Sequence, residues 1–149
     1  MSPSGSISDT LQHTFHAPKF ENATVVDAMR LGVISCSPDA SLREIARVMA
    51  TYRVHAVVVS DIEGDRPWGI VSDLDLAAAA GRDLDKLTAR DIARGELVTV
   101  AADESLARAA QLIAEHEVAH VVVVQPHSGH PVGVLSTLDL AGVLAWGGT

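Results

Sequence analysis

The feature that most constrains this chain is an internal repeat. When the sequence is shifted by 64 residues, 19 of the 54 positions from Thr24 to Ala77 are identical without a gap. The identities are densest in Ser72-x-Leu74-Asp75-Leu76, which aligns with Ser136-x-Leu138-Asp139-Leu140. A repeat of this length indicates two copies of one supersecondary unit, each too small to bury its faces alone. We therefore expect two copies that pack on each other with pseudo-two-fold symmetry.

Both copies show the same order of patterns, β-α-β-β-α. Ser41 and Ser105 precede apolar residues at helical spacing, and Glu44 completes a Ser-x-x-Glu capping box in the first copy. Second helices are expected to begin at Ser72 and Ser136. The predicted strands cover residues 33–36, 56–59 and 68–71, and in the second copy 97–100, 121–124 and 132–135. The two runs of β-branched residues at 56–59 and 121–124 predict buried strands.

The predicted fold class is therefore α+β, with two β-α-β-β-α repeats. We expect the second helices to end near Gly81 and Gly147, because glycine readily adopts the left-handed conformation that ends helices. We divide the chain into an N-terminal, partly disordered tail (residues 1–22), a first repeat (23–86) and a second repeat (87–149).

Composition excludes several classes of function. The chain is 48% hydrophobic and carries a formal net charge of −8, and no basic patch opposes that charge, so we expect no nucleic-acid partner. No apolar segment has the length of a membrane span, and the start does not resemble a secretory signal. The single Cys36 fits a reducing compartment. These observations predict a cytoplasmic protein without a membrane contact.

The strand-to-helix junctions carry a family resemblance. The segments Gly69-Ile70-Val71-Ser72-Asp73-Leu74-Asp75-Leu76 and Gly133-Val134-Leu135-Ser136-Thr137-Leu138-Asp139-Leu140 resemble the signature of CBS domains. Two such units in tandem resemble a Bateman module, and the resemblance covers residues 24 to about 145. It implies a stand-alone sensor that binds AMP, ADP, ATP, S-adenosylmethionine or NAD in clefts between its repeats. It also implies a homodimer that regulates a partner protein, without a cofactor and without catalysis.

The same resemblance implies roles for particular residues. Asp75 and Asp139 would accept hydrogen bonds from ribose hydroxyls, and Ser72 and Ser136 would contact ribose or phosphate near a helix N-terminus, which favours anions. The residues implied in enclosing adenine are Ile34, Ser35, Val57, Val98, Thr99 and Val121. His55 and His120 stand where related modules place phosphate contacts, and Arg53 would add charge in the first copy.

Other interpretations of these residues remain open. The two Ser-x-x-Asp pairs also suit helix capping alone, and the histidines suit ordinary strand ends. His116-Glu117-x-x-His120 matches the zinc-protease pattern, which needs both histidines on one helix. Four valines follow His120 and favour a strand, so we expect a coincidence and no metal site. Two alternative functions come from other classes: a dimerisation module without any ligand, and a small zinc hydrolase that uses His116, Glu117 and His120.

Overall fold

The computed structural model describes residues 18–61, 66–93 and 97–148. A 3₁₀ turn at Phe20–Asn22 precedes helix α1 (Val25–Ala28) and strand β1 (Arg30–Leu31). The first repeat continues with β2 (Ser35–Cys36), α2 (Leu42–Tyr52), β3 (Ala56–Ser60), β4 (Pro67–Ser72) and α3 (Asp73–Ala79). The second contains α4 (Ala89–Ile92), β5 (Thr99–Ala101), α5 (Leu106–His116), β6 (His120–Val124), β7 (Pro131–Ser136) and α6 (Thr137–Trp146). The predicted α+β class and the order of elements are confirmed.

The two long helices, α2 and α5, begin and end in the same way. The Ser41 hydroxyl accepts from the backbone of Glu44 at 3.1 Å, and Ser105 caps α5 by the equivalent bond. Both helices stop at a residue with positive φ, Arg53 at 54° and Glu117 at 53°. These left-handed residues end the helices and direct the chain into the buried strands β3 and β6.

Two sheets carry the repeats. Strands β2-β3-β4 form one sheet and β1-β7-β6-β5 form the other. Within them, Val58 pairs with Ile70 and Val122 pairs with Val134, which are equivalent positions of the two copies. The three valines at 57–59 and the three at 121–123 are fully buried. The strands are therefore covered on both faces, as the β-branched runs predicted.

The opening segment of each repeat packs against the other repeat. The backbone N–H of Val25 donates to Glu104 at 2.9 Å, and β1 pairs with β7, so residues 20–31 cover the second repeat. In return, the backbone N–H of Leu42 donates to the carbonyl of Leu87 at 2.9 Å, which attaches the opening segment of the second repeat to the first repeat. The predicted boundaries of the repeats remain predictions, and residues 1–17 of the predicted tail lie outside the described residues. Residues 20–22 of that tail are ordered as the 3₁₀ turn.

One predicted helix end is wrong in detail. Gly81 has a φ of +93°, as a left-handed glycine after α3 should. Gly147 instead has a φ of −60°, and the left-handed residue after α6 is Gly148. The reason for glycine at 147 is space, because an added Cβ would lie 2.5 Å from the carbonyl oxygen of Pro18 and 2.6 Å from that of Val143.

Candidate functional site

The two Ser-x-x-Asp pairs form capping boxes at the starts of α3 and α6. The backbone N–H of Ser72 donates to Asp75 Oδ2 at 2.8 Å, and the backbone N–H of Asp75 donates to the Ser72 hydroxyl at 3.2 Å. Ser136 and Asp139 repeat these contacts at 2.9 and 3.1 Å. Capping, the alternative interpretation of these pairs, is therefore present in both copies. It uses Oδ2 of each carboxylate and holds the side chain rigidly at the helix N-terminus.

A cavity of about 370 Å³ lies between the two repeats. Among the predicted site residues, it brings together Ile34, His55, His120, Ser136 and Asp139. The walls combine apolar side chains with cationic, imidazole, hydroxyl and carboxylate groups, the mixture typical of small-molecule sites. The remaining lining residues, which the sequence analysis did not single out, are Arg30, Gly32, Val33, Val54, Ala56, Val134 and Leu138.

Arg30 is the most informative of the residues that the sequence analysis missed. It lies on β1, and the crossed packing of that strand against β7 carries its side chain into the cavity with Ser136 and Asp139. A signal was present, since Arg30 is identical to Arg94 in the 64-residue alignment. By contrast, Arg53 does not line this cavity, because it is the exposed left-handed residue after α2. The expectation that Arg53 supplies the charge is not supported.

The other predicted residues lie elsewhere. Ser35 and Val57 line a second cavity, of about 450 Å³, beside Cys36 and α2. Neither cavity is lined by Ser72, Asp75, Val98, Thr99 or Val121. Val121 is fully buried, so a ligand could reach it only if neighbouring residues moved. The 64-residue shift relates Arg30 and Gly32 to residues 94 and 96, which lie outside the described residues, so the equivalent cleft is not described completely.

His55, Asp73 and His120 form a cluster beside the cavity. His55 Nδ1 lies 2.8 Å from Asp73 Oδ2, and this hydrogen bond is the main cause that lowers the pKa of Asp73. The pKa of His120 is also lowered, chiefly by burial, although the nearby carboxylates of Asp73, Asp139 and Asp75 act in the opposite direction. Burial therefore favours His120 in its neutral form.

The zinc-protease pattern does not form its required geometry. Helix α5 ends at His116, Glu117 is left-handed, and His120 opens strand β6. The two histidines are therefore not one turn apart on a continuous helix, as zinc ligation by this motif requires. Within residues 18–61, 66–93 and 97–148, no group of three or more His, Cys, Asp or Glu side chains is arranged to hold a metal ion.

Cys36 lies in β2 and is half-buried. Burial, with a smaller contribution from the charge of Glu44, raises the pKa of its thiol to about 11. The protonated thiol behaves as a small apolar side chain.

Comparison with known proteins gives a consistent result. A family model described as "CBS domain" matches residues 24–82 and 89–145. The CBS domain-containing protein YhcV of Bacillus subtilis is 30% identical over 122 residues, 80% of this chain and 84% of that protein. The uncharacterized protein MK0525 of Methanopyrus kandleri is 28% identical over 80% of this chain, which spans only 61% of that protein's length.

A solved structure shares both fold and sequence. The CBS domain protein PAE2072 from Pyrobaculum aerophilum, complexed with AMP, is 30% identical with a TM-score of 0.70, over 78% of this chain and 89% of that one.

As for membranes, none of the helices in the described parts of this chain is long and apolar enough to cross one.

Proposed function

This chain belongs to the CBS domain family, and from that premise we propose that it is a regulatory module that binds an adenosine-containing ligand between its two repeats. The observation that carries the proposal is the cavity of about 370 Å³, in which Asp139 and Ser136 of one repeat face apolar and basic residues of the other. The volume falls within the range of small-molecule sites. The AMP complex of PAE2072, which is 30% identical, supports this class of ligand.

Each part of an adenosyl ligand has a suitable group in the cavity. The carboxylate of Asp139 is held rigidly by its cap and accepts hydrogen bonds from the ribose diol. Val33, Ile34 and Val54 offer apolar contact for the base, and Arg30 offers charge for a phosphate. Recognition of a diol and an anion requires no chemical step, so we propose a non-catalytic role.

Regulation requires that the ligand binds two conformations of the protein with different affinity. Because the cavity has walls from both repeats, a ligand there changes the free energy of their relative position. We propose that this change is transmitted to a partner protein. The exposed leucines Leu74, Leu138 and Leu144, which are 62–76% exposed, favour an additional apolar contact and hence a homodimer. Sedimentation as a monomer at micromolar concentration would contradict the homodimer.

The test of the ligand site is a calorimetric titration with AMP, ADP, ATP, NAD and S-adenosylmethionine. We expect Asp139→Ala to lower the affinity for whichever compound binds by at least about tenfold, because hydrogen bonds to a charged group are lost. The matched control is Asp27→Ala, because Asp27 forms the same kind of capping box with Thr24 but does not line the cavity. Because both variants lose a helix cap, the site is supported only if the affinity falls in Asp139→Ala and not in Asp27→Ala.

Two outcomes would contradict the proposal. Equal affinity for Asp139→Ala and Asp27→Ala would remove the ribose role. No binding of any of the five compounds would instead favour a dimerisation module that needs no ligand, the alternative that the exposed leucines support.

Zinc belongs in the same titration because of the His116-x-x-x-His120 spacing, although the structure does not form the helix that this motif needs.

A further inference from the structure

The pair His55–Asp73 is present in only one of the two repeats. In the 64-residue alignment, Ala119 stands in place of His55 and Thr137 in place of Asp73. The backbone contact at this junction is nevertheless kept. The N–H of Asp73 donates to the carbonyl of His55 at 2.9 Å, and the N–H of Thr137 donates to that of Ala119 at 3.0 Å. The junction therefore forms without the two side chains, and their presence needs another explanation.

The hydrogen bond fixes which nitrogen of His55 carries its proton. The carboxylate of Asp73 is ionised and can only accept, since its pKa is lowered by this contact. The Nδ1 of His55 must therefore donate, at 2.8 Å, and Nε2 is the position at which the ring gains or loses a proton. The contact also holds the His55 ring in one orientation at the cavity that it lines.

When both histidines are neutral, negative charge exceeds positive charge among the groups described around the cavity. His120, at the start of β6, is surrounded by Asp73 and Asp75 of α3, Asp139 of α6 and the His55 ring before β3. Among the described residues that line the cavity, Arg30 of β1 is the one permanent cation. A phosphate with a charge of −1 or −2 would meet several carboxylates and one arginine. Protonation of His55 and His120 would add to the cavity the positive charge that a phosphate-bearing ligand needs.

We propose that the His55–Asp73 pair and His120 make this cleft bind a phosphate-bearing adenosyl ligand together with a proton, so that the affinity for the anion rises as the pH falls. The inference rests on the ligand function proposed above and adds the charge class of the ligand and its regulation. The sign follows from linkage, since an anion bound beside an imidazole raises the pKa of that imidazole. Protonation must then strengthen anion binding by the same factor.

The test uses two probes whose own charge is constant. The methyl ester of AMP keeps a single negative charge, and adenosine keeps none, between about pH 6 and about pH 8, the range in which histidines titrate. For the wild-type protein we expect the affinity for the AMP ester to rise about tenfold as the pH falls from about 8 to about 6. The affinity for adenosine should stay constant over the same range. Calorimetry in buffers of different ionisation enthalpy should show proton uptake with the ester.

The variant His55→Ala/Asp73→Thr gives the first repeat the residues that the second repeat already has. Because the second junction forms with those residues, we expect the variant to fold and to show less than about threefold change in ester affinity across the same range. His120→Gln should also weaken the pH dependence. His127→Ala is the control, since His127 is exposed and does not line the cavity.

The outcomes separate this inference from the proposed function. If adenosine and the ester both bind but the ester shows no pH dependence, the proton-linked site is wrong and the ligand function stands. If the wild-type slope persists in the His55→Ala/Asp73→Thr variant, the pair is not the cause and the inference is overturned. If neither probe binds at any pH, the proposed function fails and the inference fails with it.

Discussion

At the scale of single residues, the same side chains serve both the fold and the cleft. Asp139 accepts from the backbone of Ser136 at 2.9 Å, and it also lines the cavity. A carboxylate that is already held by a cap loses little conformational freedom when a ligand binds, which favours affinity. For this reason capping and ribose recognition are compatible interpretations of one residue rather than competing ones.

Cys36 gives a residue-scale prediction. Its pKa of about 11, against an ordinary 9.0, lowers the thiolate fraction at neutral pH about 100-fold. A more basic thiolate is intrinsically more nucleophilic, which recovers about tenfold. We therefore expect Cys36 in the native protein to react with a disulfide reagent at least about tenfold more slowly than in the denatured protein. Equal rates in the two states would contradict the burial of this thiol.

Several residue positions could be predicted from the sequence, and others could not. The capping residues were predictable because their contacts are three residues apart in the chain. Arg30 was not predicted in the cavity, since its place there depends on β1 pairing with a strand about 100 residues later. No local pattern encodes such a pairing. The family resemblance implied a charge from Arg53, but Arg53 is the exposed left-handed residue after α2 and does not line the cavity.

At the scale of elements, the repeat predicted the order and type of the β-α-β-β-α elements in each copy, but not the short helices α1 and α4 or strand β1. The length of the first strands was less predictable, because residues 33–36 are expected as a strand and only Ser35–Cys36 forms one. Short strands are fixed by the partner strand more than by their own residues. The pairing of β2 with β3 supplies that partner, with Ser35 opposite Val58.

The ends of α2 and α5 give an element-scale prediction. Arg53 and Glu117 have positive φ, which costs free energy for any residue with a Cβ. We expect Arg53→Gly and Glu117→Gly each to stabilise the protein by about 0.5–1 kcal/mol, measured by urea unfolding. The matched controls are Ala50→Gly and Ala114→Gly on exposed positions within α2 and α5, which should destabilise by about 1 kcal/mol. Destabilisation by all four changes would contradict the left-handed helix ends.

At the scale of the whole molecule, the crossed opening segments join the two repeats into one structure. Each hydrophobic core includes residues from the opening segment of the other repeat: Ala23, Val25, Ala28 and Met29 in one and Ala89 and Ala93 in the other. Neither core is complete within one sequence repeat. This exchange of opening segments between the repeats could not be predicted from the sequence. A match between two copies does not say which copy an opening segment contacts.

Gly133 tests this crossing. An added Cβ at this position would lie 2.5 Å from the carbonyl oxygen of Arg30 and 3.1 Å from the sulfur of Met29. Because backbone atoms cannot move aside easily, we expect Gly133→Ala to destabilise the protein by about 1–3 kcal/mol. The change should also weaken ligand binding, since β1 carries Arg30 into the cavity. Gly69→Ala is the comparison, because its added Cβ would lie 3.0 Å from Ala93, a less severe overlap. We expect it to lower the free energy of unfolding by less than Gly133→Ala does. An unchanged stability of Gly133→Ala would contradict the contact between β1 and β7.

The central claim is that an adenosyl ligand binds between the repeats, and amide chemical-shift mapping tests it most directly. The protein would be titrated with AMP, and with S-adenosylmethionine if AMP leaves the spectrum unchanged. We expect the largest shifts on both repeats at once, at Ile34 and His55 in the first and at Ser136 and Asp139 in the second. Shifts confined to one repeat or to the second cavity beside Cys36, or no shifts with either compound, would contradict it.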